Sequence, residues 1–186
     1  MSSAADARTD RGQWGLAVVG ALGLAVAAVL AAYGAASPGD GQALFTLGFS
    51  GMLPMKAWLT TGAFALAIVQ VLTALSMWGR LGSRTPTWIA PLHRWSGTAA
   101  FVLTLPVAFH CVWSLGFATD STRTLVHSIA GCAFYGVFAA KMLSLRLPGL
   151  PSWTLPVLGG LLAAIVTGIW FGAALWYFTR TGVPLT

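Results

Sequence analysis

Three histidines carry most of the chemistry this sequence offers: His93, His110 and His127. All three fall inside long apolar runs, where an ionisable side chain is costly and is a functional candidate for that reason. Imidazole is a standard axial ligand of haem iron. Two such rings can clamp one iron if they sit at one depth on facing helices. A lone histidine can equally hydrogen-bond a neighbouring helix, so the test is geometric. His110 lies about ten residues before a short polar turn at 119–122, and His127 about six after it. At 1.5 Å rise per residue their depths differ by only ~6 Å. His110 and His127 are therefore the candidate ligand pair. No C-x-x-C-H is present, so covalent c-type attachment is not expected.

His93 lies 17 residues before His110, ~25 Å away along a helix axis, and cannot share that iron. Two partners match its depth: Met77 on the preceding run, and Lys141, which stands 14 residues after His127. Two readings stay open. In one, His93 ligates a second haem with Met77 or Lys141. In the other, His93, Arg94 and Lys141 form a cationic pocket for haem propionates or a quinone. Arg123, one turn before His127, either pairs a propionate or snorkels to the interface. Gly97 and Gly131 each follow a histidine by four residues. They share its helix face and leave room for a flat macrocycle or for a packed helix.

The elements that position these residues are set by composition. Of 186 residues, 57% are hydrophobic and 8% charged, against about 25% charged in a soluble domain. That polar surface cannot cover a water-facing globule. Apolar runs of about 18 or more residues cross the hydrocarbon core as helices, because lipid offers no partner to an unpaired backbone group. The expected fold is all-α, an integral membrane protein with five transmembrane helices at about 14–34, 55–78, 90–117, 124–147 and 153–178. Residues 1–12 are expected to be a disordered tail and 13–186 a single transmembrane domain. The first run exceeds a signal-peptide core, so it is read as a retained helix. Ser37-Pro38-Gly39-Asp40-Gly41 marks a turn in the longest connection, 35–54. Leu44 to Phe49 in that connection suit the membrane interface. Pro106 should kink the third helix. Trp14, Trp58, Trp78, Trp88, Trp95, Trp153 and Trp176 cluster near span ends as an aromatic belt.

The net charge of +6 does not point to nucleic acid, because the basic residues sit at the ends of apolar runs. Arg8, Arg11, Arg80, Arg84, Arg94, Lys141 and Arg146 fall on the N-terminal side of five spans, and Lys56, Arg123 and Arg180 on the other. The positive-inside rule then makes the N-terminus cytoplasmic and the C-terminus extracytoplasmic, in a bacterial-type cell membrane. Cys111 and Cys132 lie inside apolar runs and read as small hydrophobes, not as a disulfide.

Leu92-His93-Arg94-Trp95-Ser96-Gly97, followed by a further helix histidine, resembles the H-R-W-x-G stretch of ferric-reductase-like transmembrane cytochromes. The general plan is similar to the cytochrome b561 superfamily. The resemblance covers about residues 90–146. It implies a four-helix haem-binding bundle, here helices two to five, that passes electrons through haem b. By position, His93, His110 and His127 become ligand candidates. Those families usually carry four histidines in two pairs, spaced by 13 or 14 residues on one helix. This chain has three, and Lys141 stands where a fourth would fall. No flavin or nicotinamide domain accompanies the spans.

The function expected is a b-type membrane cytochrome, with one haem or two, carrying electrons between quinol or a partner redox protein and an acceptor. Its partners would be the lipid bilayer, a quinone and other subunits of a redox complex. The alternative is a cofactor-free structural or anchoring subunit of a membrane complex. A transporter or proton pathway through His93, His127 and Lys141 has no membrane carboxylate to use, since Asp6, Asp10, Asp40 and Asp120 all lie outside the spans.

Overall fold

The computed structural model describes residues 2–82 and 84–183, with side chains from residue 12 onward. Five helices in it are long and apolar enough to cross a membrane, and no strand occurs among the described residues. α1 is Ser2–Ala36, with its apolar span at Gly12–Ala36. α2 is Met52–Met77, α3 Ile89–Leu115, α4 Thr122–Ser144 and α5 Thr154–Thr181. The tail expected to be disordered, 1–12, joins α1 from Ser2 onward; the side chains of residues 1–11 lie outside the described set.

The helices end where the sequence stops supplying helix formers. Ser121 caps α4, its hydroxyl accepting from the Thr124 N–H while Thr124 reciprocates to the Ser121 backbone. Gly79, Gly116, Gly149 and Gly182 follow helix ends with positive φ, which glycine adopts without steric cost. Large apolar side chains point outward, with Leu24 74% and Val29 68% exposed. Such faces are stable against acyl chains, and they leave packing and hydrogen bonds to hold the helices together.

α1 packs on α4, α4 on α5, α5 on α2 and α2 on α3, and the far end of α3 returns to α1. The first helix is thus a full member of the assembly beside helices two to five. It meets α4 through glycines. A Cβ on Gly23 would stand 3.0 Å from the Gly136 carbonyl and 3.2 Å from Ala140 Cβ, and one on Gly136 would run into the Gly23 carbonyl. α3 and α4 are held apart by aromatic rings. Phe101 stacks on Phe138 at 4.0 Å, and the Tyr135 hydroxyl reaches Thr104, 3.0 Å from its carbonyl and 2.9 Å from its Oγ1. Tyr135→Phe is expected to cost about 1 kcal/mol, read as a lower unfolding midpoint in detergent with an unchanged helical spectrum. Between α2 and α5, Trp170 stacks on Phe64 and donates to Thr61 Oγ1 at 3.0 Å.

Two helices widen into π-turns, α3 at His110–Leu115 and α5 at Trp170–Leu175. The first begins four residues after Pro106, the position expected to disturb α3. The connection 37–51 folds back over this turn instead of standing free. Gly41 N–H donates to Ser114 O at 2.8 Å, and Phe117 N–H to Gly34 O at 2.9 Å. Leu44 and Leu47 remain outward and exposed, as suits the interface.

Candidate functional site

The π-turn of α3 places His110 inside the bundle, on the side where α5 ends. The side chain is 0% exposed. Phe45, from the folded-back connection, meets the ring edge-on at 4.6 Å, and Phe109 flanks it at 5.4 Å. His110 Nδ1 lies 2.8 Å from the Pro106 carbonyl. A carbonyl can only accept, so Nδ1 carries the proton and Nε2 is a bare lone pair. Nε2 is buried and has no partner among the described residues. An orphaned buried polar atom costs about 1–3 kcal/mol. Histidine that ligates metal typically has this arrangement, one nitrogen held by a backbone carbonyl and the other free.

His127 stands opposite on α4. Its Nε2 is 3.8 Å from Cys111 Sγ, and its Nδ1 is buried without a partner among the described residues. Cys111 follows His110 directly, so the two histidines lie at similar depth. The structure brings His127 to Cys111, however, and no hydrogen bond or ring contact joins the two imidazoles among the described residues. The Lys56 ammonium, from the first turn of α2, is near enough for its charge to act on Cys111. Both cysteines are free.

A cavity of about 450 Å³ opens beside His127 between α4 and α5, with Arg123, Ala130, Gly168 and Gly172 in its lining. His110 is not part of that lining. Added Cβ atoms at the lining glycines Gly168 and Gly172 would meet nothing within 4 Å, so this flank is open to a flat group. Arg123 lies 3.8 Å over the Trp176 ring and donates to the Gly172 carbonyl at 3.4 Å. It is thus seated at the mouth of the cavity.

His93 sits at the opposite end of the bundle. Its Nδ1 is 2.8 Å from Thr73 Oγ1. Gln70 donates to the His93 carbonyl and, at 2.7 Å, to Ser96 Oγ. Gly97 makes room for that amide: a Cβ there would be 2.9 Å from Gln70 Oε1. The glycine therefore serves the α2–α3 contact and not a macrocycle. Lys141 lies in the last turn of α4, close enough for its charge to act on His93. Arg94 is exposed, and Met77 makes no hydrogen bond to His93 among the described residues. Gln70 and Thr73 were not singled out from sequence, although a lone amide in an apolar run is the signal that could have marked them. Cys111, Lys56 and Phe45 carried no such mark, because each matters only through a long-range contact.

Among the described residues, no group of three or more His, Cys, Asp or Glu gathers as a metal site. Any iron held here would rest on two side chains and a macrocycle. No curated protein and no solved structure matches the chain. Residues 16–185, nearly the whole of it, match the model of a family of unknown function, DUF6529, and the chain belongs to that family.

Proposed function

We propose that this protein is a b-type membrane cytochrome, in which His110 and His127 hold one haem iron and electrons pass to or from a quinol or a partner redox protein. The observation that carries the reading is the state of His110: fully buried, protonated on Nδ1 toward Pro106, bare on Nε2, and level with His127. Helix-bundle cofactor sites are built from such facing side chains. The Nδ1 of His127 adds a second buried polar group without a partner among the described residues. Haem supplies one-electron storage when bound.

The chain's own residues supply the setting. The Pro106 carbonyl fixes the tautomer and aim of His110. Phe45 and Phe109 keep water from its ring. The open glycine flank beside His127 gives space for a planar group, and Arg123 at its mouth is a candidate partner for a propionate. The surrounding four-helix unit would be α2 to α5, with α1 bracing α4. The basic residues at the N-terminal side favour that side as cytoplasmic, in a bacterial-type cell membrane.

The test is a reduced-minus-oxidised visible spectrum of the purified full chain, with a pyridine haemochrome assay. Sharp b-type bands with about one haem per chain are expected. Colourless protein after expression with ample haem would overturn the reading and leave a cofactor-free anchoring subunit as the better one.

A further inference from the structure

We infer that the groove between α4 and α5 beside His127 binds one anionic phospholipid, with its phosphate held by Arg123 and Arg180 and an acyl chain lying along the groove. This goes beyond the cytochrome reading and rests on no part of it; the haem edge is the rival occupant of the same flank.

The argument starts at Trp176. The Arg123 guanidinium lies 3.8 Å from the centre of its ring, and the Arg180 guanidinium 5.7 Å. The two cations are therefore no more than 9.5 Å apart, the two distances laid end to end. Lys56, Arg123 and Arg180 are the basic residues of this side of the spans, and two of the three meet on one indole. Orientation does not call for positive charge here, since the basic excess lies at the other end. No acid offsets the pair. Asp120 stands three residues before Arg123 and makes no ion pair among the described residues. Arg123 donates to the Gly172 carbonyl at 3.4 Å, and Arg180 makes no hydrogen bond among the described residues. A guanidinium carries five N–H donors, so most donors of both side chains are unused.

The groove supplies the rest. Its cavity of about 450 Å³ is lined on α4 between Thr122 and Ala130 and on α5 between Ile165 and Gly172. At 1.5 Å per residue, Thr122 to Ala130 spans ~12 Å, most of one leaflet's half of the ~30 Å hydrocarbon core. The polar members of the lining, Thr122, Arg123 and His127, all lie in the first two turns of α4. Inward of them, Ala130 and Ile165 offer hydrocarbon alone. Val126 in the lining is exposed, so the groove opens sideways to the bilayer. Gly168 and Gly172 leave free the space that side chains would close.

A cationic mouth above an apolar trough matches an amphiphile with an anionic head. A zwitterionic lipid brings its own cation toward two unpaired guanidiniums and is disfavoured by repulsion. Free phosphate leaves the trough empty. A haem edge fills the trough but makes no use of Arg180, which lies outside the lining, as His110 does.

The experiment titrates the full chain in dodecyl maltoside with dioleoylphosphatidylglycerol or dioleoylphosphatidylcholine, and counts bound lipid by native mass spectrometry. One saturably bound phosphatidylglycerol per chain is expected, with phosphatidylcholine at least about tenfold weaker. Arg180→Gln should weaken phosphatidylglycerol binding by about tenfold, the loss of a hydrogen bond between charged groups. Arg146→Gln, at the other end of the bundle, should not. Gly168→Leu should weaken binding as much by filling the trough, and a Cβ there meets nothing within 4 Å, so the chain still folds. Excess inorganic phosphate or glycerophosphoglycerol, which carry the charge without the chain, should displace nothing. Displacement by either would overturn the inference in favour of a free-anion site. Absence of saturable binding, equal binding of phosphatidylcholine, or binding that neither Arg180→Gln nor Gly168→Leu alters would overturn it too. Haem is assayed in the same samples. Phosphatidylglycerol bound by colourless protein removes the cytochrome and keeps the lipid site. Haem-loaded protein that binds no phosphatidylglycerol gives the flank to the haem edge, keeping the cytochrome and removing the lipid site.

Discussion

His110→Ala and His127→Ala, purified as folded protein, should each hold less than about a tenth of the wild-type haem, because even the outer partners of a metal ligand are worth 10–100-fold in affinity. His93→Ala should keep the haem at His110 and His127. The contrast separates a ligand from a residue that only supports the bundle. His110 is fully buried, so its truncation leaves a cavity as well as an open coordination position. His110→Gly with imidazole added to the buffer distinguishes the two effects, since recovery of the spectrum requires only a ring in the vacated space. Normal haem content in both His110→Ala and His127→Ala would show that neither nitrogen holds iron. Loss in His127→Ala alone would move the second ligand to Cys111, whose sulfur is the atom 3.8 Å from His127 Nε2.

Gly136→Leu should be the most destabilising single change on the lipid-embedded surface of α4. A Cβ alone at this position already collides with the Gly23 carbonyl and crowds Ala27 Cβ at 3.0 Å. The neighbour is backbone and cannot swing aside, so α1 must separate from α4. Overpacking of this kind costs about 3 kcal/mol, which for a chain of this size lowers the unfolding midpoint by about 6–12 °C. Gly131→Leu is the control, because nothing stands within 4 Å of a Cβ there. The measurement is thermal unfolding in detergent, followed by size exclusion. Equal midpoints for the two variants would mean that the α1–α4 crossing is not close-packed in the membrane.

The five spans were legible because helix length in lipid is dictated by bilayer thickness, and each run ends at Gly, Pro or charge. The expected and observed ends agree to within a few residues in α2, α3, α4 and α5. The depth match of His110 and His127 was legible for the same reason: rise per residue is fixed. Rotation was not. The π-turn at His110–Leu115 changes the angle of every side chain beyond it, and a switch from i→i+4 to i→i+5 pairing has no residue signature beyond the nearby Pro106. Hence sequence placed His127 at the right level but did not show that it faces Cys111. Phe45 illustrates a second limit. Its place against His110 depends on the backbone latch from Gly41 to Ser114, a contact between segments far apart in the chain. Gly97 shows a third, since the same absence of a side chain serves a cofactor or a neighbouring amide, and Gln70 took the space.

The partnership of α1 with α4 has a consequence for how the chain is made. α1 ends at Ala36, and α4 is complete only at Ser144, roughly a hundred residues later in synthesis. At about 5–20 residues per second, α1 waits on the order of ten seconds in the bilayer before its partner arrives. During that interval Gly23 and Ala27 face acyl chains. A crossing made of small apolar residues tolerates the delay, because nothing polar is left unpaired while the ribosome finishes. The same surface built from hydrogen-bonding side chains would invite capture by other nascent helices.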